Sequence, residues 1–154
     1  MSKRFILIAL TAVCAISVSA FAAGSDPVSL KLGDQAPDLV VTFVKGAPVT
    51  LAEGKGTDVY VIEFWATWCG PCLTSIPHLT ELQKKYGDEG LVVIGITDED
   101  VSDVRPFLAD MGPKMDYRVA IDKYGATNSR FMAPFGQEGI PHAFVIDKLG
   151  RIVW

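Results

Sequence analysis

Two cysteines separated by two residues, Cys69 and Cys72 in Trp68-Cys69-Gly70-Pro71-Cys72, are the residues of this 154-residue chain whose types and spacing most directly imply chemistry. Thiols so placed can close a small disulfide ring and reopen it, with the thiolate as the attacking species. The third cysteine, Cys14, lies in an apolar N-terminal run. A zinc site would need further ligands. No second cysteine pair exists, and the two histidines, His78 and His142, are far apart in sequence. A purely structural bridge is the competing reading, yet a ring over two intervening residues constrains the unfolded chain little. The pattern therefore favours a redox-active Cys69–Cys72 disulfide, with no metal and no other cofactor expected. The acids Asp98, Glu99, Asp100 and Asp103 read as charge placed at the start of a helix rather than as a cation site.

The N-terminus bears on where such chemistry would operate. Lys3 and Arg4 precede an uncharged apolar run from Phe5 to Phe21, and Ala20-Phe21-Ala22 matches a small-x-small cleavage site. Residues 1–22 are thus expected to be a secretory signal peptide. An uncleaved membrane anchor is the alternative, because the run is near the minimum of about 18 residues needed to span. Thr11, Ser17 and Ser19 weaken that alternative, and Val13 before Cys14 argues against a lipidated cysteine. Without the leader, 12 basic residues face 18 acidic ones, a net charge of about −6. Such a surface gives no reason to expect nucleic acid or anionic lipid as a partner. Hydrophobic content of 49% with 21% charged residues suits one globular domain.

The elements that must hold the cysteines follow from periodicity. Residues 23–56 read as a loop-rich N-terminal extension with short extended pieces at Leu39–Val44 and Val49–Leu51. Asp58–Trp65 is a nearly continuous apolar, β-branched run, as expected of a strand covered on both faces. Cys72–Tyr86 reads as a helix with Leu73, Ile76, Leu79 and Leu82 on one face, kinked at Pro77 and stopped by Gly87. Leu91–Ile96 is a second buried strand, and Val101–Met111 a second helix that Asp98 or Asp100 could cap. Asp116–Ile121 is a shorter extended piece and Lys123–Ala133 a third helix, its Phe131 and Met132 expected in the core with Phe135. Ala143–Asp147 and Arg151–Trp154, joined by Lys148-Leu149-Gly150, form a hairpin. Alternating strands and helices define an α/β layer fold.

Phe64-Trp65-Ala66-Thr67-Trp68-Cys69-Gly70-Pro71-Cys72, with Pro77 five residues further on and Ile140-Pro141 before an apolar strand, resembles the thioredoxin-like fold. Gly33-Asp34-Gln35-Ala36-Pro37-Asp38-Leu39 narrows the likeness to exported thiol-disulfide oxidoreductases of the TlpA/ResA type, which share this segment with the AhpC/TSA redoxins. The resemblance implies a central mixed sheet flanked by helices over residues 57–154. It also implies a further C-terminal helix that is missing here, since the chain stops at Trp154 inside an apolar strand. On that basis the sequence is expected to be a fragment.

Chemistry and likeness together assign roles. Cys69 precedes the first turn of its helix, where unpaired N–H groups and the helix dipole favour a thiolate, so it is the expected nucleophile. Cys72 is the resolving thiol, and Gly70 and Pro71 shape the backbone between them. Glu63, a carboxylate in an apolar strand, should have a raised pKa. By resemblance it is the buried acid that relays a proton to or from Cys72 through water, the alternative being a side chain turned to solvent. The resemblance makes the Ile140–Pro141 peptide cis, close to the cysteines, with the Ile140 backbone free to pair with an extended substrate. Trp68 is expected on the exposed rim, where it covers substrate, and His142 faces solvent beside the site. The implied function is reduction of disulfides in other exported proteins by a monomeric enzyme recharged by a membrane thiol transporter. A peroxiredoxin-like peroxidase is a second reading, although Thr67 stands two residues before Cys69 where that family's threonine stands three before. A Cu(I)-binding assembly module is a third.

Overall fold

The computed structural model describes residues 29–154, so the leader expected at residues 1–22 lies outside the described residues. Five strands form one mixed sheet: β1 (Thr42–Lys45), β2 (Val59–Phe64), β3 (Leu91–Thr97), β4 (Arg118–Ile121) and β5 (His142–Ile146). Their order is β1-β4-β3-β2-β5. β4, β3 and β2 run parallel to one another, while β1 and β5 are antiparallel edges. Three helices join them: α1 (Gly70–Tyr86), α2 (Val101–Met111) and α3 (Ala126–Phe131).

Alternation along the strands divides the core in two. Tyr60, Ile62 and Phe64 of β2 point with Val92, Ile94 and Ile96 of β3 into a cluster closed by Phe131 and Met132 of the α3 segment and by Phe144 of β5. The opposite face packs Val93 and Val119 against Ile76 of α1 and Val104 of α2, and this cluster includes both cysteines. Both faces of β2 and β3 are covered, which is why their sequences are nearly continuous apolar runs. Leu30, Ala36, Leu39, Val41, Phe43 and Val49 lean on the α3 side, and β1 completes the sheet beside β4.

Several expectations are corrected. Val49–Leu51 forms no strand: the Thr50 hydroxyl accepts from the Glu53 N–H, the Glu53 carboxylate accepts from the Thr50 N–H, and this reciprocal cap opens the turns that begin at Leu51. Helix α1 begins at Gly70, two residues earlier than expected, contains Pro77, and buries Cys72, Ile76 and Thr80, whereas Leu73 and Leu82 are exposed. Gly87 is the C-cap at which α1 ends, as expected. It opens a 3₁₀ turn over Gly87–Glu89, and the reversal falls at Gly90, with φ +95°, where a Cβ would lie 2.6 Å from the Thr57 carbonyl oxygen. The third helix is only Ala126–Phe131, because Tyr124 and Gly125 adopt left-handed backbone in front of it. Helix α2 has the expected bounds, with the Asp100 carboxylate accepting from the Ser102 N–H. The second arm of the final hairpin is held by the Ile146–Ile152 bridge and by hydrogen bonds between Val145 and Val153–Trp154.

Candidate active site

Strand β2 ends at Phe64, Trp65 keeps one last sheet hydrogen bond to the Ile96 carbonyl, and the chain then turns from Ala66 to Cys69 into α1. Cys69 is the N-cap of that helix. Its extended backbone and position before Gly70-Pro71 let its sulfur accept the Cys72 N–H at 3.3 Å, one of the donors that a helix start leaves unpaired. Pro71 lacks an N–H in the first turn, where none is required. Cys69 and Cys72 form a disulfide with Cα atoms 5.2 Å apart, and both are buried.

Glu63 sits on the cysteine-bearing face of β2 and is only 2% exposed, so it does not turn to solvent. Ser75 Oγ lies 2.5 Å from Glu63 Oε1 and 3.0 Å from the Cys72 carbonyl, joining the acid to the first turn of α1. The Tyr117 hydroxyl lies 3.4 Å from Oε2, at the outer limit of a hydrogen bond. Burial raises the Glu63 pKa to about 7 against the smaller opposing effect of these hydroxyls, and burial beside Glu63 pushes Tyr117 well above the ordinary phenol range. A carboxyl group so tuned exchanges its proton near neutrality.

The Ile140–Pro141 peptide is cis. Ile140 is half-buried and, alone among the described residues, is a partly buried side chain packed against both core clusters, while Pro141 is exposed. Trp68 is 75% exposed. Together with Phe64, Trp65, Asp98, Glu138 and Ile140 it lines a cleft of about 200 Å³ at the mouth of the site. A larger apolar groove, about 630 Å³, is lined by none of these residues. His142 is half-buried. It opens β5 opposite Phe64, its ring lies 4.8 Å from that of Phe144, and partial burial lowers its pKa.

Two residues of the site, Ser75 and Tyr117, carry no role in the sequence reading, and a third, Glu99, carries a different one. Ser75 is one helical turn after Cys72, and that spacing was the available signal. Tyr117 reaches Glu63 only because β4 lies parallel to β3. Glu99, read with its acidic neighbours as helix-start charge, instead receives the Thr67 N–H at 2.7 Å and the Thr67 hydroxyl at 2.6 Å. Asp100 alone of that run caps α2, and no group of three or more potential metal-ligating side chains occurs among the described residues.

A thioredoxin-like sheet carrying a Cys-Gly-Pro-Cys disulfide at a helix N-cap, backed by a buried acid, with a cis Ile140–Pro141 step just ahead of β5, defines a thiol-disulfide oxidoreductase. Residues 32–154 match the model of the AhpC/TSA family, and the chain belongs to that family, in its TlpA/ResA-like branch. It is similar to the thiol-disulfide oxidoreductase ResA of Bacillus anthracis, at 35% identity over 131 residues covering 84% of this chain and 71% of the relative. The thioredoxin-like protein YneN of Bacillus subtilis is 33% identical, with coverage of 81% and 71%. Among solved structures, a thiol:disulfide interchange protein DsbE from Chlorobium tepidum superposes with a TM-score of 0.70 at 34% identity, covering 82% of this chain and 84% of that one. The protein is an enzyme that exchanges thiols and disulfides.

Proposed function

We propose that the protein is a monomeric reductase of disulfides in exported proteins, acting outside the cytoplasm after loss of the leader at residues 1–22. The observation that carries the reading is the Cys69 sulfur at the helix N-cap with the Cys72 N–H directed at it. In the reduced protein the same N–H and the helix dipole favour a thiolate on Cys69.

Cys69 attacks one sulfur of a substrate disulfide. That disulfide breaks, a mixed disulfide forms on Cys69, and the first substrate thiolate leaves. Cys72 then loses its proton to Glu63 and attacks the Cys69 sulfur, releasing the second substrate thiolate and closing the Cys69–Cys72 bond. Two electrons pass from the dithiol to the substrate. Trp68 covers the incoming chain, Gly70 and Pro71 keep the turn between the cysteines open to it, and the Ile140 backbone ahead of Pro141 pairs with it. A dithiol reductant outside the cytoplasm needs electrons carried across the membrane, so a membrane thiol transporter is its expected donor.

The test is insulin reduction with dithiothreitol as electron source. Cys69→Ser is expected to lose turnover, and Cys72→Ala, pre-reduced and mixed with insulin after removal of dithiothreitol, to accumulate the mixed disulfide with one insulin chain attached to Cys69. Retained turnover in Cys69→Ser would overturn the mechanism. Cleavage in vivo is tested by the N-terminal sequence of the exported protein, expected to begin at Ala23.

A further inference from the structure

We infer that Glu99 is a positioning residue of the active site, holding the turn that presents Trp68 and Cys69 to a protein substrate. The inference rests on the reductase reading and adds a residue to it. Between the end of β2 and the start of α1, residues Ala66–Cys69 make one tight turn, closed by the Cys69 N–H on the Ala66 carbonyl at 3.1 Å. Thr67 and Trp68 are its two corner residues. In such a turn the N–H of the first corner points outward and finds no partner within the turn. Here it is met by Glu99 Oε2 at 2.7 Å, while the Thr67 hydroxyl donates to Oε1 at 2.6 Å. One carboxylate thus grips both donors of one residue.

Glu99 is itself held. Thr97 Oγ1 donates to Oε2 at 3.0 Å and accepts the Glu99 N–H at 3.3 Å, and Thr97 is the buried last residue of β3. The turn is therefore fastened to the end of a central strand. Trp68, 75% exposed, has little packing of its own to fix its direction. What orients it is the backbone at Thr67, together with the helix that follows. A side chain that engages both polar groups of one residue fixes direction as well as distance.

Two consequences separate this role from a general one. First, the grip needs geometry rather than charge. A glutamine at this position would accept the Thr67 N–H with its oxygen and donate to the Thr67 hydroxyl with its amide, so Glu99→Gln should restore what Glu99→Ala loses. Second, the thiolate is stabilised by the Cys72 N–H and the helix start, which Glu99 does not touch. Small reagents that need only the thiolate should be indifferent to the substitution, whereas a protein disulfide that must seat against Trp68 should not.

The experiment measures single-turnover reduction of insulin by the pre-reduced protein, for wild type, Glu99→Ala, Glu99→Gln and Thr67→Val. Alongside it runs alkylation of Cys69 by iodoacetamide in a Cys72→Ala background, and hydrogen exchange of the Thr67 amide. Loss of the grip is expected to slow insulin reduction by Glu99→Ala about tenfold, as small misplacements of reacting groups do. Alkylation is expected to stay within about twofold, since thiolate character sets it. Thr67 amide exchange should rise at least tenfold in Glu99→Ala and remain near wild type in Glu99→Gln, with insulin reduction restored. Thr67→Val, which keeps the N–H bond, should fall between. Wild-type insulin rates in Glu99→Ala, a parallel drop in alkylation, or a Glu99→Gln variant as slow as Glu99→Ala would each overturn the inference. If wild type itself fails to reduce insulin, the functional reading falls, and the exchange measurement still reports on the grip.

Discussion

Replacing Glu63 with glutamine should make the folded protein more stable, and only above a defined pH. In the fold the Glu63 pKa rises from 4.5 to about 7, chiefly through burial. At about 1.4 kcal/mol per unit, that difference is worth about 3 kcal/mol. The sign follows from proton counting. Below pH 4.5 the carboxyl is protonated in both folded and unfolded chains and contributes nothing. Between 4.5 and 7 the unfolded chain has released a proton that the folded one retains, so stability falls as pH rises. Above 7 the folded protein carries a buried carboxylate held by Ser75 and, weakly, Tyr117, and the full cost is present. The substituted amide can accept from Ser75 through its oxygen and has no proton to lose. Urea unfolding of the oxidised protein at half-unit steps from pH 4 to 8.5 should therefore show Glu63→Gln gaining on wild type by about 3 kcal/mol across that window, with no pH-dependent gain outside it. A difference between the two proteins that does not change with pH would refute the reasoning. The same variant should slow release of the mixed disulfide, because the group proposed to take the Cys72 proton is gone.

Tyr117→Phe removes a hydroxyl that favours the Glu63 carboxylate, so in the same urea series the upper end of the window, where stability stops falling, should move to higher pH while its lower end stays put, and a downward move would contradict it. Gly95→Ala should destabilise by about 1–3 kcal/mol, since its Cβ would meet Trp65 Nε1 at 3.0 Å and Tyr117 Cε2 at 3.1 Å inside a packed core; the thermal midpoint measures this. Asp122→Ala should cost about 2 kcal/mol, because the buried carboxylate accepts the N–H groups of Thr127 and Asn128 at the start of α3, and amide exchange at those two residues should rise with it.

Elements with local signals of both start and stop were legible in the sequence. Val101–Met111 lies between the cap Asp100 and Gly112, and β2 and β3 announce burial on both faces by their composition. Face assignment on α1 failed for a geometric reason. Leu73 and Leu82 are nine residues apart, which at about 100° per residue puts them half a turn apart, so a strict three-residue repeat cannot stay on one side. The stripe that packs is Cys72, Ile76, Leu79 and Thr80, with a cysteine and a threonine where a leucine pattern was sought. At the site, the dithiol, Glu63 and the Ile140–Pro141 step have sequence signatures. Glu99, Ser75 and Tyr117 act through partners 32, 12 and 54 residues away, and only the packed sheet brings them to the active-site turn or to the buried acid.

The segment from Gly33 to Ala36 is sewn to the final hairpin. Gly33 donates to Ile152, Ile152 to Asp34, Ala36 to Gly150, and the Gln35 amide reaches Leu149 across 114 residues. This seam gives the order of events during folding a particular shape. The cysteines are neighbours in sequence and lie on one helical turn, so their bond needs only local structure. The seam closes the longest loop in the domain, an entropic cost that must be met before its contacts reward it. A chain emerging N-terminus first holds Gly33–Ala36 without a partner until residues 150–152 arrive. Until then the edge of β5 lacks the hydrogen bonds that the second arm of the hairpin supplies. The Cys69–Cys72 bond thus spans a separation of 3 residues, while the closure of the domain spans 114.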